Sequence, residues 1–141
     1  MKQQAIIAAL IGAVVSFLLG WLIWGMLTMD YYNANTNPVF AGLQKDPPVL
    51  GVILIAQVCW SLLLAYVLDK SGESGFASGF KTGAILFFLI ETAMVAMFYA
   101  TMDIYSGTTI MFVDIALNVI FGGVVGGVVG WWMGRGAKAA A

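Results

Sequence analysis

The sequence predicts an all-α, four-helix transmembrane bundle with both termini in the cytoplasm. Of its 141 residues, 62% are hydrophobic and 9% are charged, whereas a soluble domain carries about 25% charged residues. The apolar residues gather into four segments, and each is long enough to cross a bilayer, which takes about 20 helical residues. We therefore expect one transmembrane domain over residues 1–141.

The first two predicted helices cover residues 5–28 and 49–68. The first is longer than the roughly 7–15 apolar residues of a signal peptide, so we expect it to be retained. The second follows Pro47 and Pro48, and proline suits the first turn of a helix because no backbone N–H is needed there. Residues 30–47 include Tyr31, Tyr32 and three asparagines, which predicts an outer loop at the membrane interface.

The third and fourth predicted helices cover residues 80–102 and 109–133. A glycine- and serine-rich connection precedes the third helix, and residues 103–108 predict a tight turn between the two. Gly134, Arg135 and Gly136 follow the fourth helix. They predict its end, where a cation interacts favourably with the helix dipole.

The lysines and arginines predict the orientation of the bundle, because cytoplasmic loops carry the excess of these residues. On one side of the membrane, at the outer ends of the helices, Lys45 would be the only basic residue. The other side would carry both termini and five basic residues: Lys2, Lys70, Lys81, Arg135 and Lys138. We expect a multi-pass protein of the bacterial cytoplasmic membrane.

The composition also excludes several classes of function. The formal net charge of −1 gives no basic surface for nucleic acid. The chain has no histidine, which removes histidine-ligated haem, the commonest zinc sites and Ser-His-Asp catalysis. A single cysteine, Cys59, excludes an internal disulfide, and its place in an apolar run predicts a buried thiol. We predict no metal, no cofactor and no catalytic residue.

Glycines at four-residue spacing predict a groove on the fourth helix, formed around Gly122, Gly126 and Gly130. Such spacing lets a second helix backbone approach closely. The first helix carries Gly12, Ser16 and Gly20 at the same spacing, which makes it a suitable partner. Two interpretations remain open, with the first favoured: packing between the first and fourth helices, or an interface with another subunit or a second copy.

Each of the four helices carries a polar residue at similar depth: Ser16, Gln57, Glu91 and Asn118. Asp114, the second acid, lies one turn outward of Asn118. An ionised carboxylate near the centre of a bilayer costs several kcal/mol, so such groups are protonated, paired or exposed to an internal cavity. The helix rise predicts that the two acids lie about 10 Å apart in depth, which argues against joint action on one bond. The candidates for binding or proton titration are Glu91, Asp114, Asn118 and Gln57.

Two interpretations of these residues remain open. In the structural one, a protonated Glu91 donates to Gln57 or Asn118 and fixes the helix register. In the functional one, Glu91 titrates or contacts a substrate, and Asp114 lines its outer entrance. We favour the structural interpretation.

The second half of the chain resembles a bacterial family of four-helix integral membrane proteins that is defined only as a domain of unknown function. The similarity lies in Gly79-Phe80-Lys81-Thr82-Gly83, in Phe112-Val113-Asp114-Ile115-Ala116 and in the glycine-rich stretch 122–131. Gly20-Trp21-Leu22-Ile23-Trp24 is similar to the family's first-helix signature, except that no Tyr-Gly follows Trp24. The resemblance implies a small bacterial four-helix bundle and no established activity.

Three functions are consistent with this sequence. The first is a non-enzymatic accessory or interaction subunit that sits against a larger membrane assembly. The second is a small proton-coupled transporter centred on Glu91, as a monomer or a homodimer. The third is a protein that binds, or acts as an enzyme on, a lipid or quinone near Glu91 and Asp114. The sequence favours them in that order, because it shows no catalytic constellation. The expected partners are the lipid bilayer and other membrane subunits or a second copy.

Overall fold

The computed structural model describes Met1 and residues 3–139, the last four of them by their backbone alone. Lys2 and the Lys138 side chain, which enter the orientation argument, lie outside this description. The helices are α1 (Gln3–Leu22), which continues through a π-helical turn (Ile23–Leu27), α2 (Met29–Asn35), α3 (Pro38–Ala41), α4 (Leu50–Ser71), α5 (Phe76–Thr101) and α6 (Thr109–Ala139).

Four of these helices are long and apolar enough to cross a membrane: α1 with its π turn, α4, α5 and α6. For the described residues, the prediction of an all-α structure with four helices that are long and apolar enough to span a membrane is therefore confirmed. α1 packs against α4 and α6, and α6 packs most extensively against α5, whereas α4 and α5 touch only sparsely. The cytoplasmic location of the termini stays a prediction.

Both chain ends lie at the same end of the bundle. The Met1 amino group is 4.0 Å from the Asp69 carboxylate at the end of α4. The Gly75 N–H, just before α5, donates to the Gly130 carbonyl near the end of α6 at 2.8 Å. We call the half of the bundle that contains both chain ends the terminal half. The opposite half, beside α2 and α3, is the loop half.

Small side chains let the helices pack closely in the terminal half. The Ser16 side chain of α1 and the Ser61 side chain of α4 are fully buried there. Close approach of this kind is how membrane helices gain the dispersion contacts that stabilise a bundle in lipid. The fully or almost fully buried apolar residues of this core are Ala5, Ala8, Ala9, Ala13, Leu64, Ala65, Leu68, Val125 and Val129.

The closest contact in the bundle joins the backbones of α5 and α6 at facing glycines. Gly79 lies against Gly126, and Gly83 lies against Gly122, so that a Cβ on either α5 glycine would overlap a carbonyl oxygen of α6. The groove on α6 is thus filled by α5. α1 also packs against α6, as expected, but it does not occupy the glycine groove. The reason is that α5 carries its own glycines at four-residue spacing, whereas Gly12 of α1 faces Val129 and Ser61.

The same antiparallel register runs on toward the loop half. Each further contact lies four residues later on α5 and four residues earlier on α6, so that Glu91 comes opposite Asp114. One step beyond, Val95 of α5 and Ile110 of α6 are each 1% exposed. Four-residue steps keep facing residues near one side of a helix with 3.6 residues per turn.

α5 and α6 are longer in the terminal half than predicted. α5 begins at Phe76 rather than residue 80, because Gly75 and Gly79 lie against Gly130 and extend the helix contact. α6 continues to Ala139 rather than ending at residue 133. The Arg135 guanidinium lies 4.5 Å from the centre of the Trp131 ring, a cation–π contact within the helix that supports the added turn.

The predicted outer loop and tight turn form one interlocked structure. Residues 30–47 contain the short helices α2 and α3, and Asn37 caps α3 by accepting a hydrogen bond from the Val39 N–H at 3.0 Å. The Asn37 N–H donates to the Ile104 carbonyl at 2.8 Å, and the Ser106 N–H donates to the Asn35 carbonyl at 2.9 Å. These bonds hold α2 against the segment that joins α5 and α6.

The loop half of α4 stands away from the other helices. Residues 50–56 are all exposed, although they are almost entirely apolar, as expected for a surface in contact with lipid. Cys59 on the same helix is exposed too, so the prediction of a buried thiol is wrong. The cause is the sparse contact between α4 and α5, which leaves this side of α4 without a covering helix.

Candidate functional site: a cavity between the helices

A cavity of about 500 Å³ lies in the loop half of the bundle, and all four membrane-spanning helices contribute to its wall. The four polar residues singled out in the sequence, Gln57, Glu91, Asp114 and Asn118, all line it. The rest of the wall is mainly apolar and includes six aromatic side chains: Phe17, Trp21, Trp24, Trp60, Phe87 and Phe121. The structure thus brings the polar residues of three helices to one space.

A layer of aromatic rings separates the cavity from the terminal half. The Phe87 and Phe121 rings lie 5.6 Å apart, between centroids, and the Trp60 ring lies 5.3 Å from Phe87. Trp24 packs edge-on against Phe121 at 5.3 Å. Phe87 follows Gly79 and Gly83 on α5, so the backbones stay close at the glycines and the bulky rings begin where the cavity begins. Side-chain size along α5 and α6 therefore sets where the bundle opens.

The π-helical turn places Trp24 and Gly25 of α1 in the cavity wall. At its end, the N–H and the hydroxyl of Thr28 both donate to the Ile23 carbonyl, at 2.9 and 2.8 Å. A π turn adds one residue per hydrogen-bonded ring and rotates the residues that follow, and such turns are frequent at functional sites. Here the chain then turns into α2, which lies over the loop half.

Asp114 is the centre of the hydrogen-bond network at the cavity. The Tyr32 hydroxyl of α2 donates to Asp114 Oδ1, and Trp24 Nε1 donates to the Tyr32 hydroxyl at 3.3 Å. Asn118 Nδ2 donates to the Asp114 carbonyl at 3.0 Å and to its Oδ1 at 3.3 Å. α1, α2 and α6 are therefore connected through one carboxyl group.

Glu91 and Asp114 lie near each other across the α5–α6 interface, where both line the cavity. The predicted separation of about 10 Å between these acids is wrong. That prediction assumed that the end of α5 and the start of α6 lie at the same depth. In the structure, the contact between the glycines shifts α5 along α6, so that α5 extends beyond the start of α6. Two carboxyl groups this close and this poorly solvated cannot both be ionised without strong repulsion. This repulsion is relieved when the pair holds one proton.

Two tyrosines face the acid pair from outside the spanning helices. Burial, and then the hydrogen bond to Asp114, raises the pKa of Tyr32 well above its usual value. Burial, and then the charges of Asp114 and Glu91, raises the pKa of Tyr105. The sequence predicted an interfacial position for Tyr32. The interlocked loops instead bring its hydroxyl to Asp114, and both tyrosines remain neutral phenols at physiological pH.

The other predicted polar contacts differ from the structure. Glu91 interacts with Asp114 rather than with Gln57 or Asn118, so the predicted partners within the network are wrong. The Gln57 side-chain oxygen is buried and has no hydrogen-bond partner in the described part of the chain. Ser16 donates to the Ala13 carbonyl of its own helix at 3.0 Å and lies in the core of the terminal half. Its hydroxyl is satisfied locally, away from the cavity.

Sequence reasoning missed Tyr32 and Trp24 as members of the site. In the sequence, Trp24 stood out only as part of the first-helix signature, and Tyr32 was assigned to the membrane interface. One signal in the sequence could have pointed to Tyr32. It lies directly after the first apolar segment, next to Asp30 and Tyr31, and a chain that folds back at this point places the Tyr32 hydroxyl above the ends of the helices. Among the described residues, no three His, Cys, Asp or Glu side chains lie close enough together to hold a metal ion.

No protein-family model matches this chain, and no curated protein or solved structure shows significant similarity to it. The resemblance to a bacterial four-helix family therefore stays a prediction.

Proposed function

We propose that this protein binds a small amphipathic molecule in the cavity between its helices, with the polar end of the molecule at Glu91 and Asp114. The observation that carries the proposal is the cavity itself, about 500 Å³ in volume and lined by aromatic rings and four polar side chains. Small-molecule sites in proteins measure about 300–1,000 Å³ and combine apolar walls with a few polar groups. The site described here matches both criteria.

The open side of the bundle supports access from the lipid phase. The loop half of α4 is exposed and touches α5 only sparsely, so a molecule dissolved in the bilayer has a short route to the cavity. A lipid-soluble ligand is concentrated in the membrane by the hydrophobic effect before it reaches the protein. We therefore expect a ligand with an apolar body.

The close packing of the terminal half favours binding over transport as the basic function. Gly79, Gly83, Gly122 and Gly126 bring the α5 and α6 backbones into contact there, and the aromatic layer lies between that contact and the cavity. A transporter must open its site alternately to both sides. Transport by this chain would require the helices of the terminal half to separate, which binding alone does not require.

The hypothesis of an accessory subunit has less support. It depended on the glycine groove as a docking surface, and α5 of the same chain fills that groove. What remains is the lipid-facing apolar surface, which any membrane protein has. Co-purifying subunits are the finding that favours it.

A cavity-filling variant tests the proposal. A Cβ at Gly20 would meet Phe121 at 3.8 Å and Trp24 at 4.0 Å, so Gly20→Leu is accommodated at its base and projects into the cavity. Gly51→Leu is the matched control, because a Cβ at Gly51 has nothing within 4 Å. The wild type and both variants are purified in lipid nanodiscs, and their organic extracts and protein partners are identified by mass spectrometry.

We expect a small molecule in roughly stoichiometric amount with the wild type and Gly51→Leu, and its loss from Gly20→Leu. Its persistence in Gly20→Leu, in a folded protein, contradicts binding in the cavity. A stoichiometric set of membrane subunits without a small molecule supports the accessory role instead.

A further inference from the structure

The polar side of the cavity wall carries hydrogen-bond acceptors that lack a donor. The donors nearest the acids are already used, because the Tyr32 hydroxyl and the Asn118 amide N–H both point at Asp114. The Glu91 carboxyl group and the unpartnered oxygen of Gln57 remain as acceptors for a ligand. Burial of an acceptor without a donor is unfavourable, so a ligand that donates hydrogen bonds is stabilised here.

The acid pair has no basic partner in the cavity. None of the residues that line the described cavity is lysine or arginine. Loss of the shared proton therefore leaves a second negative charge in a poorly solvated space, which is costly unless a cation replaces the proton. The site favours positive charge at this position.

Aromatic faces surround the same space. Trp24 and Trp60 line the cavity beside Phe87 and Phe121, and Trp21 lies at its rim. The π face of tryptophan attracts a cation more strongly than that of the other aromatic residues, and the attraction is greatest in a desolvated site. Carboxylates and indole rings together match a cation that carries apolar substituents.

We propose that the ligand is an organic cation, a substituted ammonium with an apolar body, which binds in place of the proton held by Glu91 and Asp114. This inference rests on the proposed function, because it requires the cavity to be the ligand site. One monovalent cation enters and one proton leaves to solvent, so that the charge of the site is unchanged. The exchange makes binding stronger as the pH rises.

The groups around the acid pair are consistent with this exchange. Tyr32 of α2 and Tyr105 of the α5–α6 connection are the other titratable side chains near Glu91 and Asp114. Their pKa values are raised, first by burial, so both stay neutral. α1 and α4 contribute only uncharged residues to the cavity wall. The acid pair is therefore the source of the proton.

A quinone fits this chemistry less well. Its carbonyl oxygens are acceptors, which the proton of the acid pair or the Gln57 amide could satisfy, but a neutral quinone cannot balance the negative charge of the acids. A substituted ammonium that keeps an N–H donates to Glu91 or Gln57, and a quaternary one relies on charge and on the aromatic faces.

The test compares benzyltrimethylammonium with neopentylbenzene, its uncharged isostere, and with a short-chain benzoquinone. Binding to the protein in nanodiscs is followed by tryptophan fluorescence, with empty nanodiscs as the blank, and proton release is followed with a pH indicator in weak buffer. We expect the cation to bind at least about tenfold more tightly than its isostere, with one proton released. Glu91→Gln should remove both the preference and the proton release, whereas Asp46→Asn, a change in an exposed loop residue, should keep them.

The outcomes separate the two proposals. Equal binding of the cation and its isostere without proton release, or tighter binding of the benzoquinone, overturns the inference of a cation and leaves the ligand cavity intact. If the wild type binds none of the three probes and Gly20→Leu retains whatever co-purifies with it, the proposed function fails as well. Should Glu91→Gln not fold, the pH dependence of the wild type decides: affinity for the cation that does not rise with pH overturns the inference.

Discussion

Glu91 of α5 lies opposite Asp114 of α6, about two helical turns along from the contact between Gly83 and Gly122. The glycines and the acids belong to one antiparallel register, in which each pair is four residues from the last. The close contact of backbones in the terminal half therefore determines which residues meet in the loop half. Packing and site are coupled through α5 and α6.

Gly83→Ala should destabilise the protein and disturb the acid pair. A Cβ at Gly83 overlaps the Gly122 carbonyl oxygen, and neither backbone has room to move without loss of the neighbouring contacts. Overpacking of this kind costs about 1–3 kcal/mol. The measurement is the free energy of unfolding in mixed micelles. Gly51→Ala, which meets nothing within 4 Å, is the control and should be neutral or slightly stabilising, since alanine has the higher helix propensity. Equal stability of the two variants would show that the α5–α6 contact is looser than described.

The two acids should differ in their contributions to stability. Asp114 accepts hydrogen bonds from Tyr32 and Asn118, and a bond to a charged group contributes about 1.5–3 kcal/mol. Asp114→Ala should therefore cost at least about that much and loosen α2, whereas Glu91→Ala should change stability by less than about 1 kcal/mol. Unfolding in micelles and hydrogen exchange in residues 29–41 measure the two effects. A larger loss for Glu91→Ala would assign the structural role to Glu91, as the sequence alone suggested.

The spanning helices and the four polar residues of the cavity could be predicted from the sequence. Helix length and hydropathy suffice for the spans, because only helices or closed barrels satisfy the backbone in lipid. Glu91, Asp114, Asn118 and Gln57 stand out because polar side chains are costly within apolar segments. Local composition carries both signals, so neither needs knowledge of which helices touch.

The contacts between helices could not be predicted in this way. Glycine spacing marks a groove on α6 but does not name the helix that fills it, and α1 and α5 both carry suitable spacing. The register of α5 against α6 depends on how far α5 extends past the start of α6, which leaves no local signal. Tyr32 lies outside the apolar segments, so its contact with Asp114 depends on the path of the chain after the π turn.

The tyrosines near the acids should ionise late. Burial, and then the hydrogen bond to Asp114, raises the pKa of Tyr32, and burial raises that of Tyr105. Because the folded state binds these protons more tightly, their contribution to stability is complete below the ordinary tyrosine pKa of about 10 and is lost as the pH rises above it. Absorbance at the tyrosinate band should show a late phase in the folded protein that is absent in denaturant. The double variant Tyr32→Phe/Tyr105→Phe should lose this phase, and a late phase that survives in it would assign the effect to other tyrosines.

The orientation of the bundle determines which leaflet the cavity faces. Labelling of single cysteines measures this orientation. In a Cys59→Ala background, Gln44→Cys reports on the loop half and Ser74→Cys on the terminal half, both at exposed positions. Lys70 and Lys81 flank the connection that contains Ser74, so the excess of basic residues predicts that it is cytoplasmic. A membrane-impermeant maleimide should label Gln44→Cys in intact spheroplasts and Ser74→Cys only after lysis. The opposite pattern would place the cavity on the cytoplasmic side, and its ligand would then enter from the inner leaflet.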